Sequence, residues 1–311
     1  MTVSEQKRAS LLRSAALASI SVALLLVILK SWAVWRSDST ALLGSLADTA
    51  LDLVASMATL IGVWVAARPA DDDHRFGHGK AEALAAMFQV VLIAISAIGL
   101  GFRAVSQFIA GGTVASASEG IAVSVIAIIA TLALLAWQRH VMAQASSLAI
   151  STDHLHYQSD LALNLAVIAA LALDHYAGFS GADPLFGVGI ALWLGWGAWR
   201  AAGEAIDHLM DKEWPEERRD AFLAVLARQP ELRGVHDLRT RTSGAHDFVQ
   251  FHAAVDGSMT VADAHRVMDE IEARIMAEFP GVEVLIHPDP EGLVNDDGWV
   301  AEELLPTYNA G

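Results

Sequence analysis

Asp48 and Asp52 stand four residues apart in the apolar stretch LLGSLADTALDLVASMATLIGVWVAA, and His156 and Asp160 stand four apart in STDHLHYQSDLALNLAVIAALAL. On a helix each pair lies one turn apart on a single face. Ionisable groups at bilayer depth are costly unless they meet a partner or a watery path. Brought together, the pairs would gather one imidazole and three carboxylates, a full set of four ligands for a small divalent cation. A mixed His/Asp set suits Zn2+ and, less selectively, Fe2+, Co2+ and Cd2+. Three carboxylates in a low dielectric take up protons when no cation holds them, so metal and protons compete for the same groups. The chemistry to expect is exchange of a divalent cation for protons.

Two further groups carry metal-ligating residue types. The loop DDDHRFGHGK holds Asp71, His74 and His78, and its spacing fits either a metal site or a solvated turn. Near the carboxyl end stand His236, His252, His265, His287 and Asp289, with His246 nearby. His287 and Asp289 are two apart, which puts them on one face of a strand. Convergence of this group at one sheet edge would make a second metal site.

The elements that must position these residues follow from hydropathy. The chain has 311 residues, 54% of them hydrophobic, and a mean hydropathy of +0.41. That is too apolar for an ordinary soluble protein and too polar for one wholly in a membrane. Six stretches reach the roughly 20 residues needed to span a bilayer: 14–36, 41–67, 82–109, 119–142, 147–174 and 184–208. The first follows Lys7, Arg8 and Arg13, is too long for a signal-peptide core and lacks a cleavage site, so it reads as a retained helix. Lys30 near its far end is expected to snorkel to the interface. Basic residues at the amino terminus, in the second–third and fourth–fifth loops and after the sixth span put both termini in the cytoplasm by the positive-inside tendency, with Arg36 and Arg103 as exceptions.

Beyond the sixth span the pattern becomes that of a soluble domain. Residues 215–228 and 260–278 have amphipathic helical spacing, and VHDLRTRTSG with HDFVQFHAAVDG reads as a hairpin turning at Ser243–Gly244. VEVLIHPDP is a final strand, giving the order αββαβ of a ferredoxin-like sheet. The expected organisation is a cytosolic amino terminus (1–13), a six-helix membrane domain (14–208), a cytosolic α+β domain (209–291) and a flexible tail (292–311). From Asp211 onward 21 acidic side chains face 9 basic ones, so most of the net charge of −16 lies in the soluble part. Such a surface disfavours nucleic acid and anionic lipid and attracts cations. With no cysteine, thiolate sites and disulfides are excluded.

Six spans, the D-x-x-x-D of the second, HYQSD in the fifth, DDDHRFGHGKAEALAA, and HDLRTR…FVQFH…AH…IHPDP together resemble the cation diffusion facilitator family, above all its bacterial zinc/iron efflux branch. The resemblance runs from about residue 12 to 290. It implies a homodimeric, proton-coupled exporter of divalent metal in the bacterial cytoplasmic membrane. It makes Asp48, Asp52, His156 and Asp160 the transport site, and Asp71, His74 and His78 a loop site. His236, His252, His265, His287 and Asp289 become a binuclear cytosolic site tying paired soluble domains together. It also implies a Lys80–Asp211 salt bridge interlocking the dimer and a hydrophobic gate at Leu155. The chain departs at Pro288, where close relatives often carry Gln. Proline has no N–H and no side-chain ligand, so a mononuclear, rearranged or weak cytosolic site stands beside the binuclear one.

Two other functions compete with an exchanger. A membrane metallohydrolase would need an open coordination position and a motif such as H-E-x-x-H, which the chain lacks. A passive divalent-cation channel would conduct without a proton gradient.

Overall fold

The computed structural model describes residues 3–37, 40–109, 121–177, 181–232, 234–292 and 303–305. These form two compact units, Met1–Leu209 and Met210–Gly311. The polar link expected at residues 110–118 lies outside the described residues.

The first unit consists of long helices: α1 (Val3–Ser37), α2 (Thr40–Ala66), α3 (Ala81–Ile109), α4 (Ile121–Met142), α5 (Leu148–Ala177) and α6 (Ala182–Leu209). Among the described residues, four stretches are long and apolar enough to cross a membrane: Gln6–Arg36, Ser45–Ala66, Ala81–Ile109 and Val125–Met142. α5 and α6 are of similar length, and α5 is interrupted by Asp153, His154, His156 and Asp160. Large apolar side chains such as Trp35, Ile98, Phe102, Leu192 and Trp199 point outward, as suits helices whose solvent is lipid.

α1 begins at Val3, about three turns before the expected start of the first span, and nothing before Ser14 breaks a helix. Arg8 fixes that extension, donating to the carbonyl of Ser146 at 2.6 Å and lying 3.8 Å from buried Glu82 on α3. Alanines dominate the packing where α1, α3 and α5 meet: Ala15, Ala16, Ala85 and Ala149 are all buried. Small residues let backbones approach where no hydrophobic effect drives helices together. α3 and α6 approach in the same way, since a Cβ on Gly187 would stand 2.9 Å from that of Ala104.

The second unit matches the expected order and adds one strand: α7 (Glu216–Leu226), β1 (Gly234–Ser243), β2 (His246–Val255), α8 (Val261–Glu278), β3 (Val282–Pro290) and β4 (Glu303–Leu305). β1 and β2 form the hairpin, with Gly244 at φ 62° in the turn. β3 pairs parallel with β2 after the crossover through α8. Thr260 caps α8, its hydroxyl accepting the N–H of Asp263 at 3.1 Å. Pro215 sits at the N-cap of α7 rather than inside its first turn. One sheet face and both helices share a core that includes Phe222, Leu226, Val249, Phe251, Ile271, Ile275 and Ile286. β4 falls in the segment expected to be a flexible tail. It pairs antiparallel with the outer edge of β1, giving the order β3-β2-β1-β4, because an unpaired edge offers a row of backbone donors and acceptors to any extended segment within reach.

Candidate metal centres

In the first unit α2 and α5 bring Asp52, His156 and Asp160 together, each offering a ligand atom within 4.8 Å of the others. His156 Nε2 is 2.9 Å from Asp52 Oδ1 and 3.9 Å from Asp160 Oδ2. The last pair is the i,i+4 pair of α5, so the helical repeat makes it and tertiary packing adds Asp52. His156 is buried while Asp160 is 31% exposed, which leaves the group open on the aspartate side. One imidazole and two carboxylates within this radius form a donor set suited to a divalent cation. Asp48, expected as the fourth ligand, is exposed on α2 and outside this group. Four residues of helix rotate through about 400°, so side chains one turn apart diverge by about 40°.

Leu155 directly precedes the ligating His156 on α5. It packs against the apolar cluster that Val90, Ile93, Leu194 and Ala198 build between α3 and α6. Gly197 makes room for it, since a Cβ there would stand 2.9 Å from Leu155 Cδ2. Lys30 does not snorkel outward as expected. Its ammonium donates to Thr49 Oγ1 at 2.5 Å and to the carbonyl of Ser45 at 3.2 Å, both on α2.

Sequence reasoning passed over Asp153, one turn before His156 and fully buried. Its carboxylate accepts from Ser19 Oγ at 2.6 Å on α1, Gln89 Nε2 at 2.8 Å on α3 and Gln138 Nε2 at 2.8 Å on α4. Gln89 also donates to Thr59 of α2 at 2.7 Å. Tyr157 beside it donates to the carbonyl of Ser19 and shares a hydrogen bond with Ser56 at 2.9 Å. A buried carboxylate thus joins five helices, one turn from the candidate site. The available signal was an ionisable residue at membrane depth, which is rare enough to count by itself.

The link between α2 and α3 gathers Asp71, His74 and His78. His78 Nε2 is 3.3 Å and His74 Nδ1 3.4 Å from the Asp71 carboxylate. The backbone N–H of His74 donates to Asp71 at 2.7 Å and holds its carboxyl below the usual range. A carboxylate between two imidazoles, on a turn bent at Gly77 (φ 77°), is a donor set of the kind that can hold a divalent cation. Lys80, just beyond, donates to the carbonyl of Leu209 at 3.2 Å. In the second unit Asp211 lies 3.7 Å from Arg241.

The sheet of the second unit does what spacing could not specify. Its register aligns His236 with His252 across β1–β2, and His252 with His287 across β2–β3. Asp289 reaches back over this row. Its Oδ2 lies 2.9 Å from His252 Nδ1 and 3.3 Å from His236 Nε2, and its Oδ1 lies 3.4 Å from His287 Nε2. His236, His252 and Asp289 each offer a ligand atom within 4.8 Å of the others. His265 is outside this group, exposed on α8 and 3.6 Å from Asp269 of its own helix. Asp237 was not anticipated. A bulge between His236 and Arg239 leaves it at φ 49°, with its carboxylate 3.9 Å from His252 Nε2 and paired with Arg239. Pro288 pairs in register with Ala253 without breaking the strand.

Known proteins share this succession of domains. The cation efflux transmembrane domain matches residues 16–210, and the cation efflux protein cytoplasmic domain matches residues 214–291. The cation-efflux pump FieF of Cronobacter sakazakii is 40% identical over 284 residues, covering 91% of this chain and 94% of that protein. The FieF pump of Escherichia coli O127:H6 is 38% identical over 293 residues, covering 94% and 97%. The metal-bound C-terminal domain of the CzcD transporter from Thermotoga maritima is 31% identical, covers 26% of this chain and all of that one, and superposes with a TM-score of 0.25. With both domains matched in order, and identity running through nearly the whole of either partner, the chain belongs to the cation efflux, or cation diffusion facilitator, family of multi-pass membrane transporters.

Proposed function

We propose that this transporter expels Zn2+ in exchange for protons, working as a homodimer in the bacterial cytoplasmic membrane. The observation that carries the reading is the meeting of Asp52, His156 and Asp160 between two helices of an apolar unit. Asp48 stands one turn along α2, outside that group, and completes the set as fourth donor when a bound cation draws it in. Protons and metal contest these carboxylates, so each metal ion leaving on one side is replaced by protons. α1 to α6 all span, both termini are cytoplasmic, and the helices rock between inward and outward openings around the site. Leu155 closes one side of it against α3 and α6. Cd2+, Fe2+ and Co2+ are alternative cargoes by the same ligand chemistry.

The loop group and the cytosolic group bind metal without transporting it. His236, His252, His287 and Asp289 read cytosolic metal, with His265 recruited only if the paired domains approach. Lys80 and Asp211 interlock the subunits near the dimer axis.

The test is flux through the purified full chain in liposomes under an imposed pH gradient, scanning the four metals. Wild type is expected to give saturable, gradient-driven zinc flux. Asp52→Ala should lose more than the roughly 10- to 100-fold that removal of an outer-shell partner costs at metal sites, and should still elute as a dimer. Undiminished flux without a gradient would instead identify a passive channel.

A further inference from the structure

Lys30 is the cation that the ligand set leaves out of account. Its ammonium sits on the Ser45–Thr49 turn of α2. Ser45, Asp48, Thr49 and Asp52 recur at helical spacing, so this is the face that carries two of the proposed ligands. Thr49 is buried, and its own hydroxyl is held by the Ser45 carbonyl at 3.1 Å, which fixes the seat. From there the charge lies within electrostatic reach of Asp52, Asp160 and Asp48. A lysine that only needed water would extend along the helix to the interface, and this one does not.

Charge counting gives the position a purpose. Three carboxylates with a neutral imidazole carry −3, and Lys30 brings the set to −2. A doubly charged cargo then leaves the loaded site neutral, where without Lys30 it would leave −1. Uncompensated charge in a poorly solvated interior is expensive. The ammonium also repels the cargo and so keeps it from binding too tightly to leave.

We propose that Lys30, held on the Ser45–Thr49 turn, is a charge-setting residue of the transport site that matches it to divalent cations and weakens their hold. This rests on the transport reading above. A purely structural role, tying α1 to α2, predicts the opposite sign: losing the tie would loosen the site and weaken metal binding.

The experiment measures initial zinc flux against zinc concentration, at one fixed pH gradient, for the full chain in liposomes. Lys30→Met is expected to lower KM by about tenfold, the scale of one unit charge acting over several ångströms in a partly polar medium, and to lower the maximal rate because release slows. Lys30→Arg keeps the charge and should keep the wild-type KM. Thr49→Val keeps the lysine but removes its seat, and should lower KM in the same direction by a smaller factor. That third variant decides the matter if Lys30→Met does not fold. An unchanged or raised KM in Lys30→Met, or in Thr49→Val where that decides, overturns the proposal, as does a Lys30→Arg variant that behaves like Lys30→Met. Absence of flux in wild type removes the transport reading itself, a result distinct from any of these.

Discussion

Asp289 touches three imidazoles from three strands, His236, His252 and His287, and so gathers them at one place on the sheet. His252 is the central one, contacting Asp289 directly and lying between His236 and His287 in the strand register. His252→Ala should therefore cost more than loss of either neighbour. Calorimetric titration of the full chain with zinc should show one class of sites lost or weakened by about 10- to 100-fold, with transport still measurable. An unchanged isotherm would mean that the row is structural. The histidines themselves were legible in the sequence, and His287 with Asp289 followed from strand alternation. Asp237 was not legible, because its approach to His252 depends on a bulge that turns one residue out of the alternation. His265 shows the converse: residue type and neighbourhood suggested a ligand, but an exposed helix face holds it beside Asp269.

At the scale of elements, helical periodicity made the i,i+4 pairs visible, while the joining of α2 to α5 depends on polar ties that periodicity does not reveal. Asp153 is the centre of those ties, accepting from α1, α3 and α4 at once and reaching α2 through the Gln89–Thr59 bond. In Asp153→Asn one acceptor becomes a donor facing the donors of Ser19 and Gln138. The mismatch should destabilise the first unit by about 1–3 kcal/mol, the usual cost of an unsatisfied buried polar group. Thermal unfolding of the detergent-solubilised full chain, followed by tryptophan fluorescence, should show a lower midpoint. Flux should fall with it, because Asp153 sits one turn from His156. An unchanged midpoint would mean that the three donors are not needed to hold the helices. The succession of helices and strands in the second unit was readable from periodicity, alternation and turns. β4 was not, because a three-residue edge strand carries too little pattern to separate it from an acidic tail.

For the whole molecule, the issue is whether metal held by the second unit changes the assembly. If the histidine row senses cytosolic metal, zinc should draw the paired soluble domains together. Spin labels on exposed positions of α8 in the full-length dimer should report a shorter distance with zinc and no shortening in His252→Ala. Equal distances with and without zinc in wild type would remove the sensing role. The acidic character of this part supports cation capture but does not direct it, since charge steers encounter without specifying a site.

The sequence by itself determined a membrane part followed by an α+β part, the helices and strands with nearly all their bounds, and the residue types able to hold a divalent ion. These are encoded locally, in hydropathy and in the 3.6- and 2-residue periods. Only the tertiary structure decided that Asp52 meets His156 and Asp160 while Asp48 stands apart, that Lys30 turns onto α2, and that Asp153 binds the helices together. Those outcomes depend on helix rotation and strand register. A rotation of a few tens of degrees or a slip of one residue would change which side chains meet while leaving every local pattern intact.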